Sequence, residues 1–122
     1  MWQTGRMAAR TALPVLPAGC CAPLTGAVLD AESAEQLATG FKALADPTRV
    51  RLLSLIAAAD GGEACICDLT EFVDLSQPTV SHHMKQLVAA GLVSREQRGK
   101  WAFYALVPAG LDALSAALRV RS

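Results

Sequence analysis

The chain has 122 residues, with 11 acidic and 11 basic side chains, 52% hydrophobic residues and only 5% aromatic ones. This length corresponds to one domain with a modest core, and a composition rich in Ala and Leu favours helices packed on helices. No apolar stretch reaches the roughly 20 residues of a membrane-spanning helix, because charged residues interrupt each one. We therefore expect a soluble, mainly α protein with no membrane partner.

Residues 1–29 are predicted to form a flexible arm, since they are rich in Pro, Gly and Ala. The arm carries Cys20 and Cys21, which follow a short apolar run behind Arg6 and Arg10. This arrangement matches a secretion signal only weakly, because two prolines interrupt the run. The interpretation is a cytoplasmic protein whose single folded domain spans residues 30–122.

Two helices are predicted next from their N-terminal caps. Asp30 can cap a helix over residues 31–44, and Asp46 followed by Pro47 indicates a second helix that runs to about Ala59. The second helix is expected to bury an apolar stripe that consists of Val50, Leu53 and Ile56, with Leu52 and Leu55 beside it.

The following segment predicts a helix-turn-helix. A short helix over about residues 67–73 precedes a turn and a longer helix, which Ser76 caps and Gly91 closes. Apolar side chains of the longer helix repeat at helical spacing and should face inward, namely Val80, Met84, Leu87 and Val88. Its small polar side chains then lie outward, as in a helix that reads DNA.

A β-hairpin and a final helix complete the prediction. Residues 92–97 and 101–106 flank Arg98-Gly99-Lys100, a pattern typical of a hairpin with a basic tip, or wing. The final helix opens at Pro108 and carries an apolar stripe of Leu111, Leu114, Ala117 and Leu118. We expect this stripe and that of the first helix to form a dimer surface. The predicted fold is mainly α with a β-hairpin wing, a winged helix-turn-helix that dimerises through its first and last helices.

Three blocks of sequence closely resemble the ArsR/SmtB family of bacterial metal-responsive repressors. They are FKALADPTRVRLL at 41–53, CICDL at 65–69 and LSQPTVSHHMKQL at 75–87, and the resemblance covers about residues 31–120. It implies a transcriptional repressor, a homodimer of winged helix-turn-helix subunits that occupies double-stranded operator DNA until an inducer releases it.

Charge and side-chain chemistry indicate where DNA would bind. Residues 60–74 hold five acidic and no basic side chains, whereas residues 76–101 hold four basic and one acidic. Gln77 can pair with adenine through two hydrogen bonds, and basic side chains of the wing can meet phosphates. The candidate DNA-binding residues are Ser76, Gln77, Thr79, Ser81, His82, His83, Lys85, Arg95, Arg98 and Lys100.

Alternative roles stay open for some of these residues. Ser76 and Thr79 could serve only as helix caps, and His83 could be packed or solvated instead of touching DNA. His82 and His83 could also suggest a metal site, but neighbouring side chains on a helix diverge by about 100°.

Four cysteines, Cys20, Cys21, Cys65 and Cys67, are the candidate metal ligands. Cys65 and Cys67 open a predicted helix, where the helix dipole and free amides stabilise thiolates. Two other readings are structural disulfides, which a reducing compartment disfavours, and buried cysteines that act as small apolar side chains. The family resemblance implies that CICDL is an inducer site, with a third or fourth thiolate from Cys20 or Cys21 on the arm.

The inducer follows from coordination preference. Trivalent arsenic takes three sulfurs, which suits adjacent cysteines, so As(III) or Sb(III) is the first expectation and Cd(II) or Pb(II) the alternative. The second site of zinc-responsive relatives is expected to be absent, because the last helix has Asp112 but no His follows His83.

Two further function classes compete with a metal-responsive repressor. A thiol reductase would need a Cys-x-x-Cys motif or an anion-binding loop around its cysteine, and neither is present, so no enzymatic activity is expected. A thiol redox sensor on the same scaffold would form a disulfide between Cys20 or Cys21 and Cys65 or Cys67. The sequence does not separate that reading from metalloid sensing.

Overall fold

The structure, a computed structural model, describes residues 28–120. Five α-helices, a short 3₁₀ turn and three strands follow one another along this part of the chain. Their bounds are α1 Ala31–Leu44, α2 Pro47–Ala58, the 3₁₀ turn Asp60–Gly62, β1 Glu63–Cys65, α3 Ile66–Val73, α4 Gln77–Ala89, β2 Val93–Arg98, β3 Trp101–Leu106 and α5 Pro108–Ala117. The prediction of a mainly α winged helix-turn-helix is confirmed.

The helices begin where their caps predicted. The carboxylate of Asp30 accepts a hydrogen bond from the amide of Ser33 at 2.8 Å, and that of Asp46 accepts from the amides of Thr48 at 2.8 Å and Arg49 at 3.1 Å. Each cap satisfies amides that the first helical turn leaves without an intrahelical partner. The start of each helix is therefore encoded within three or four residues of sequence.

The core lies where α2, α3, α4 and the sheet meet. Its fully buried larger side chains are Leu52, Ile56, Leu69, Val80, Met84, Leu87 and Leu92. The predicted stripe of α2 is wrong at Val50, which is 49% exposed. The buried stripe is centred instead on Leu52 and Ile56, one helical turn apart, and Val50 lies about 200° around the helix from Leu52.

The wing belongs to a three-stranded antiparallel sheet of order β1-β3-β2. Strands β2 and β3 form the predicted hairpin, in which Arg98 pairs with Trp101 around a two-residue turn. Gly99 in this turn has a φ of +62°, the left-handed conformation that glycine adopts without steric cost. The third strand, β1, was not predicted. It pairs with β3 through Glu63 with Ala105 and Cys65 with Phe103.

The apolar stripes of α1 and α5 partly cover each other within one chain. Leu114 and Ala117 of α5 are buried, and the Leu114 side chain lies directly over Gly40 of α1. Leu118 and Val120 beyond α5 are exposed, as is Val28 before α1. The α5 part of the surface expected to mediate dimerisation is therefore largely packed within the chain, and Leu118 is the residue of that stripe that stays exposed. Among residues 28–120, no helix is long and apolar enough to span a membrane.

Candidate nucleic-acid interface and thiol site

Helices α3 and α4 form the helix-turn-helix. Asp74 ends α3 in the left-handed conformation (φ 56°, ψ 45°), which reverses the chain direction before Ser76 caps α4. The face of α4 that carries Val80, Met84 and Leu87 is buried against the core. The opposite face is therefore held outward on a rigid support.

A cleft of about 430 Å³ separates the outward face of α4 from the wing. The helix contributes Gln77, Ser81 and Lys85 to its lining, and the wing contributes Arg95 and Lys100. Three cations and no carboxylate are therefore among the residues that line this cleft. Five of the ten candidate DNA-binding residues meet here, in a groove whose charge suits a phosphate backbone.

The remaining candidates on α4 lie elsewhere. Ser76 and Thr79 form the cap, with their hydroxyl oxygens 2.9 Å apart and the Thr79 amide donating to Ser76 Oγ at 3.3 Å. His82 is exposed, whereas His83 is half-buried with its Nδ1 atom 3.1 Å from Nη1 of Arg49. The same Arg49 side chain donates to the carbonyl oxygen of Ala43 at 2.7 Å. His83 therefore connects α4 to the junction of α1 and α2.

The two wing arginines lie on opposite faces of the sheet, because strand side chains alternate and positions 95 and 98 are an odd number apart. Arg95 faces the cleft, where its Nη2 donates to Oε1 of Gln97 at 2.6 Å. Arg98 lies on the outer face, where its guanidinium stacks 4.5 Å from the centre of the Phe103 ring. The structure does not bring Arg98 into the cleft with the other cations.

Two carboxylates hold Arg98 on this outer face. Nη2 of Arg98 donates to Glu63 at 2.9 Å and to Glu96 at 2.6 Å, and Nη1 donates to the second oxygen of Glu63. The hydrogen bonds from Arg98 hold the pKa of Glu63 below its usual range and raise that of the guanidinium. Its charge is therefore balanced on this face of the sheet by one carboxylate of the wing and one of β1.

Cys65 and Cys67 lie at the junction of β1 and α3. Cys65 is the last residue of β1 and the N-cap of α3, and it is 6% exposed, whereas Cys67 in the first helical turn is exposed. The amide of Cys67 donates to the Cys65 sulfur at 3.1 Å, and the two sulfurs are joined as a disulfide. The sequence favoured free thiols, and the structure instead pairs them because an N-cap and the second residue of its helix present their sulfurs to each other.

Further ligands would have to come from elsewhere. Within residues 28–120, no cluster of three or more His, Cys, Asp or Glu side chains is arranged to hold a metal ion. Cys20 and Cys21 lie outside the described residues.

Ile66 connects the thiol pair with the cleft. This residue stands between the two cysteines, is buried, and lines the cleft beside Gln77 and Lys85. Ile66 was not among the residues predicted from sequence, because its place in the cleft follows from the packing of α3 beside the sheet. The residue between the two cysteines therefore belongs to the wall of the cleft.

A helix-turn-helix with a basic cleft between its second helix and a hairpin defines a winged helix-turn-helix DNA-binding domain. Residues 46–95 match the family model described as bacterial regulatory protein, arsR family. Over 80 residues the chain is 44% identical to an arsenical resistance operon repressor of Staphylococcus xylosus, which covers 66% of this chain and 74% of that protein. The chain belongs to the arsR family of bacterial regulatory proteins.

A second relative and two solved structures agree with this assignment. The chain is 46% identical over 77 residues to the arsenic resistance transcriptional regulator ArsR1 of Pseudomonas putida, a match that spans 61% of this chain and 59% of that protein. The crystal structure of the AntR antimony-specific transcriptional repressor has a TM-score of 0.59 at 28% identity, covering 72% of this chain and 78% of that one. A homodimeric winged helix-turn-helix DNA-binding domain from Mycobacterium bovis has a TM-score of 0.58 at 26% identity, covering 75% and 82%.

Proposed function

We propose that this protein is a repressor of arsenical resistance that binds operator DNA as a homodimer and releases it when As(III) or Sb(III) binds cysteine thiolates. The observation that carries the proposal is the position of Cys65 and Cys67. Their sulfurs meet at the start of the helix that supports α4, and Ile66 between them reaches the basic cleft. A ligand at these sulfurs would act directly on the support of the DNA-reading helix.

DNA binding is assigned to α4 and the cleft-facing side of the wing. Gln77 and Ser81 would read base edges in the major groove, while Lys85, Arg95 and Lys100 would neutralise phosphates on either side. His82 and Thr79, both exposed, complete the surface. Arg98 is the one wing cation that this assignment leaves to a different role.

The ligand is assigned from the chemistry of the donors. Trivalent arsenic and antimony bind three sulfurs, of which Cys65 and Cys67 supply two and Cys20 or Cys21 of the arm would supply the third. Two molecules of a small thiol reductant first convert the Cys65–Cys67 disulfide to two thiols and become a disulfide themselves. Three protein thiols and one As(OH)₃ then give one trithiolate and three waters. Names of the relatives, which refer to arsenical resistance and to antimony, support this choice over Cd(II) or Pb(II).

Homodimerisation is assigned to the apolar surface of the first and last helices, α1 and α5. Val28, Leu118 and Val120 expose apolar surface near α1 and α5, and the domain resembles a homodimeric one. Two copies would place two α4 helices in successive major grooves of an operator. The protein would act in the cytoplasm, where the operator is, and without enzymatic activity.

A thiol redox sensor is a second candidate, because the structure joins Cys65 and Cys67 in a disulfide. In that case oxidation alone would change the start of α3 and weaken DNA binding. This pairing differs from the one expected from sequence, in which an arm cysteine would be the partner.

One experiment tests both candidates. An operator fragment is titrated with the full chain in a gel mobility assay, with arsenite, antimonite, Cd(II), Pb(II) or Zn(II) added in reducing buffer. We expect arsenite and antimonite to weaken binding by about 5- to 150-fold, the usual range of coupling between two sites. A parallel titration with a thiol oxidant and no metal should leave binding unchanged. Release by oxidant alone would favour the redox sensor, and release by Cd(II) ahead of arsenite would contradict the metalloid assignment.

A further inference from the structure

Strand β1 is three residues long and carries the thiol site at one end. Glu63 begins the strand and Cys65 ends it, and both side chains lie on the outer face of the sheet because they are two residues apart. Main-chain pairing with β3 over three residues is a weak tether for the strand. A side-chain contact that spans the sheet would therefore decide how closely β1 follows the wing.

Arg98 makes that contact. It belongs to β2, two strands away from Glu63, and its guanidinium crosses over Phe103 of β3 to reach the Glu63 carboxylate. Phe103 is also the cross-strand partner of Cys65, and Glu96 is the cross-strand partner of Phe103. A row of neighbouring side chains on the outer face, Cys65, Phe103 and Glu96, thus runs from the thiol site to the wing. Arg98 stacks on Phe103 and pairs with Glu96 and Glu63 across this row.

Arg98 lies close in sequence to the wing residues that would contact DNA. Arg98 is the last residue of β2, and the turn that follows it holds Lys100. Arg95 and Lys100 lie on the cleft side of the same hairpin. A displacement of β1 that is carried by Arg98 therefore reaches the tip of the wing and its cleft-facing cations.

We propose that Glu63, Arg98 and Phe103 form a strap that transmits ligand binding at Cys65 to the wing, so that Arg98 is a positioning residue and not a DNA contact. The inference rests on the function proposed above. Drawing the Cys65 sulfur toward a metalloid shifts β1, and the Glu63–Arg98 ion pair makes the wing follow. Without the ion pair, β1 moves and the wing keeps its DNA-bound position.

The chain offers a matched pair of variants for the test. Glu63→Gln and Glu96→Gln each remove one carboxylate from Arg98, and each raises the net charge around Arg98 by one. Only Glu63 links Arg98 to β1, because Glu96 lies on the same strand as Arg98. Operator affinity is measured by fluorescence anisotropy for the full-length wild type and both variants, in reducing buffer without arsenite and at saturating arsenite. The ratio of the two affinities is the coupling factor, which at saturation does not depend on arsenite affinity.

We expect the coupling factor of Glu63→Gln to be about two- to fivefold smaller than that of the wild type, the range for loss of an exposed ion pair. Glu96→Gln should keep the wild-type factor, and both variants should bind the operator with equal affinity when arsenite is absent. Equal coupling factors in all three proteins, or equal losses in the two variants, would overturn the strap. If arsenite did not change the operator affinity of the wild type, the result would contradict the proposed function itself and therefore also the strap.

Discussion

The salt dependence of operator binding should distinguish the cleft cations from Arg98. Lys85, Arg95 and Lys100 line the cleft, so the proposed dimer would present six cations to phosphates. Each neutralised phosphate contributes about −0.9 to the slope of log affinity against log salt, which predicts a slope of about −5 and a roughly 10³-fold loss of affinity between 50 and 200 mM salt. Lys100→Gln removes two of these contacts per dimer, so the slope should weaken by about 2 and the loss should shrink to roughly 10²-fold.

Arg98→Gln is the matched control for this measurement. It removes a cation two residues from Lys100, but one that Glu63 and Glu96 already neutralise on the outer face of the wing. Its slope should stay within about 0.5 of the wild-type value, since no phosphate contact is lost. Fluorescence anisotropy on one operator fragment at four salt concentrations, without inducer, gives all three slopes. An Arg98→Gln slope as weak as that of Lys100→Gln would refute the assignment of the cleft as the DNA-binding surface.

Two further predictions concern the domain itself, measured by urea unfolding at one fixed protein concentration. Gly110→Ala should lower the free energy of unfolding by about 2 kcal/mol, because its new Cβ would lie 2.1 Å from the backbone oxygen of Gly91. Gly40→Ala should change it by less than about 1 kcal/mol, because the atom 2.7 Å away is the end of the flexible Leu114 side chain. Equal losses in the two variants would show that both sites relax alike. Asp46→Ala should cost about 1 kcal/mol at pH 7 through loss of the cap, and Asp46→Asn much less. The amide of Arg49 and the other contacts of the cap lower the pKa of Asp46 below its unfolded value, so its ionised cap stabilises the domain above about pH 4 and the wild type should lose that stability as the pH falls through the folded pKa. The Asp46→Asn variant should lack this loss of stability at low pH. Parallel stability profiles for the wild type and Asp46→Asn would contradict the role of the ionised cap.

The features that sequence predicted well are local ones. A cap at Asp30, Asp46 or Ser76 is satisfied within three residues by the helix it begins, so the signal and its consequence lie side by side in the chain. The hairpin is similar, because its turn joins strands that are neighbours in sequence. Apolar spacing predicted α4 correctly, but in α2 the run of neighbouring apolar residues allowed more than one stripe, and Val50 was placed on the wrong face.

The features that sequence did not predict depend on distant pairing. Strand β1 exists because it pairs with β3, which begins at Trp101, and three residues carry no pattern of their own. The contact of Arg98 with Glu63 depends on that pairing, so it could not be predicted from sequence before β1 was known. Strand geometry could have separated the two wing arginines from sequence alone. Arg95 and Arg98 on one strand must face opposite sides of the sheet, so only one of them can line the cleft.

The central claim is that Cys65 and Cys67 hold the ligand that weakens DNA binding. The most direct test compares the wild type, the Cys65→Ser, Cys67→Ser double variant and the Cys20→Ser, Cys21→Ser double variant, each titrated onto the operator with and without arsenite in reducing buffer. All three should bind the operator alike when arsenite is absent. Arsenite should release the wild type, leave the Cys65/Cys67 variant bound and act more weakly on the arm variant, which retains two of three sulfurs. Release of the Cys65/Cys67 variant at the wild-type arsenite concentration would contradict the account.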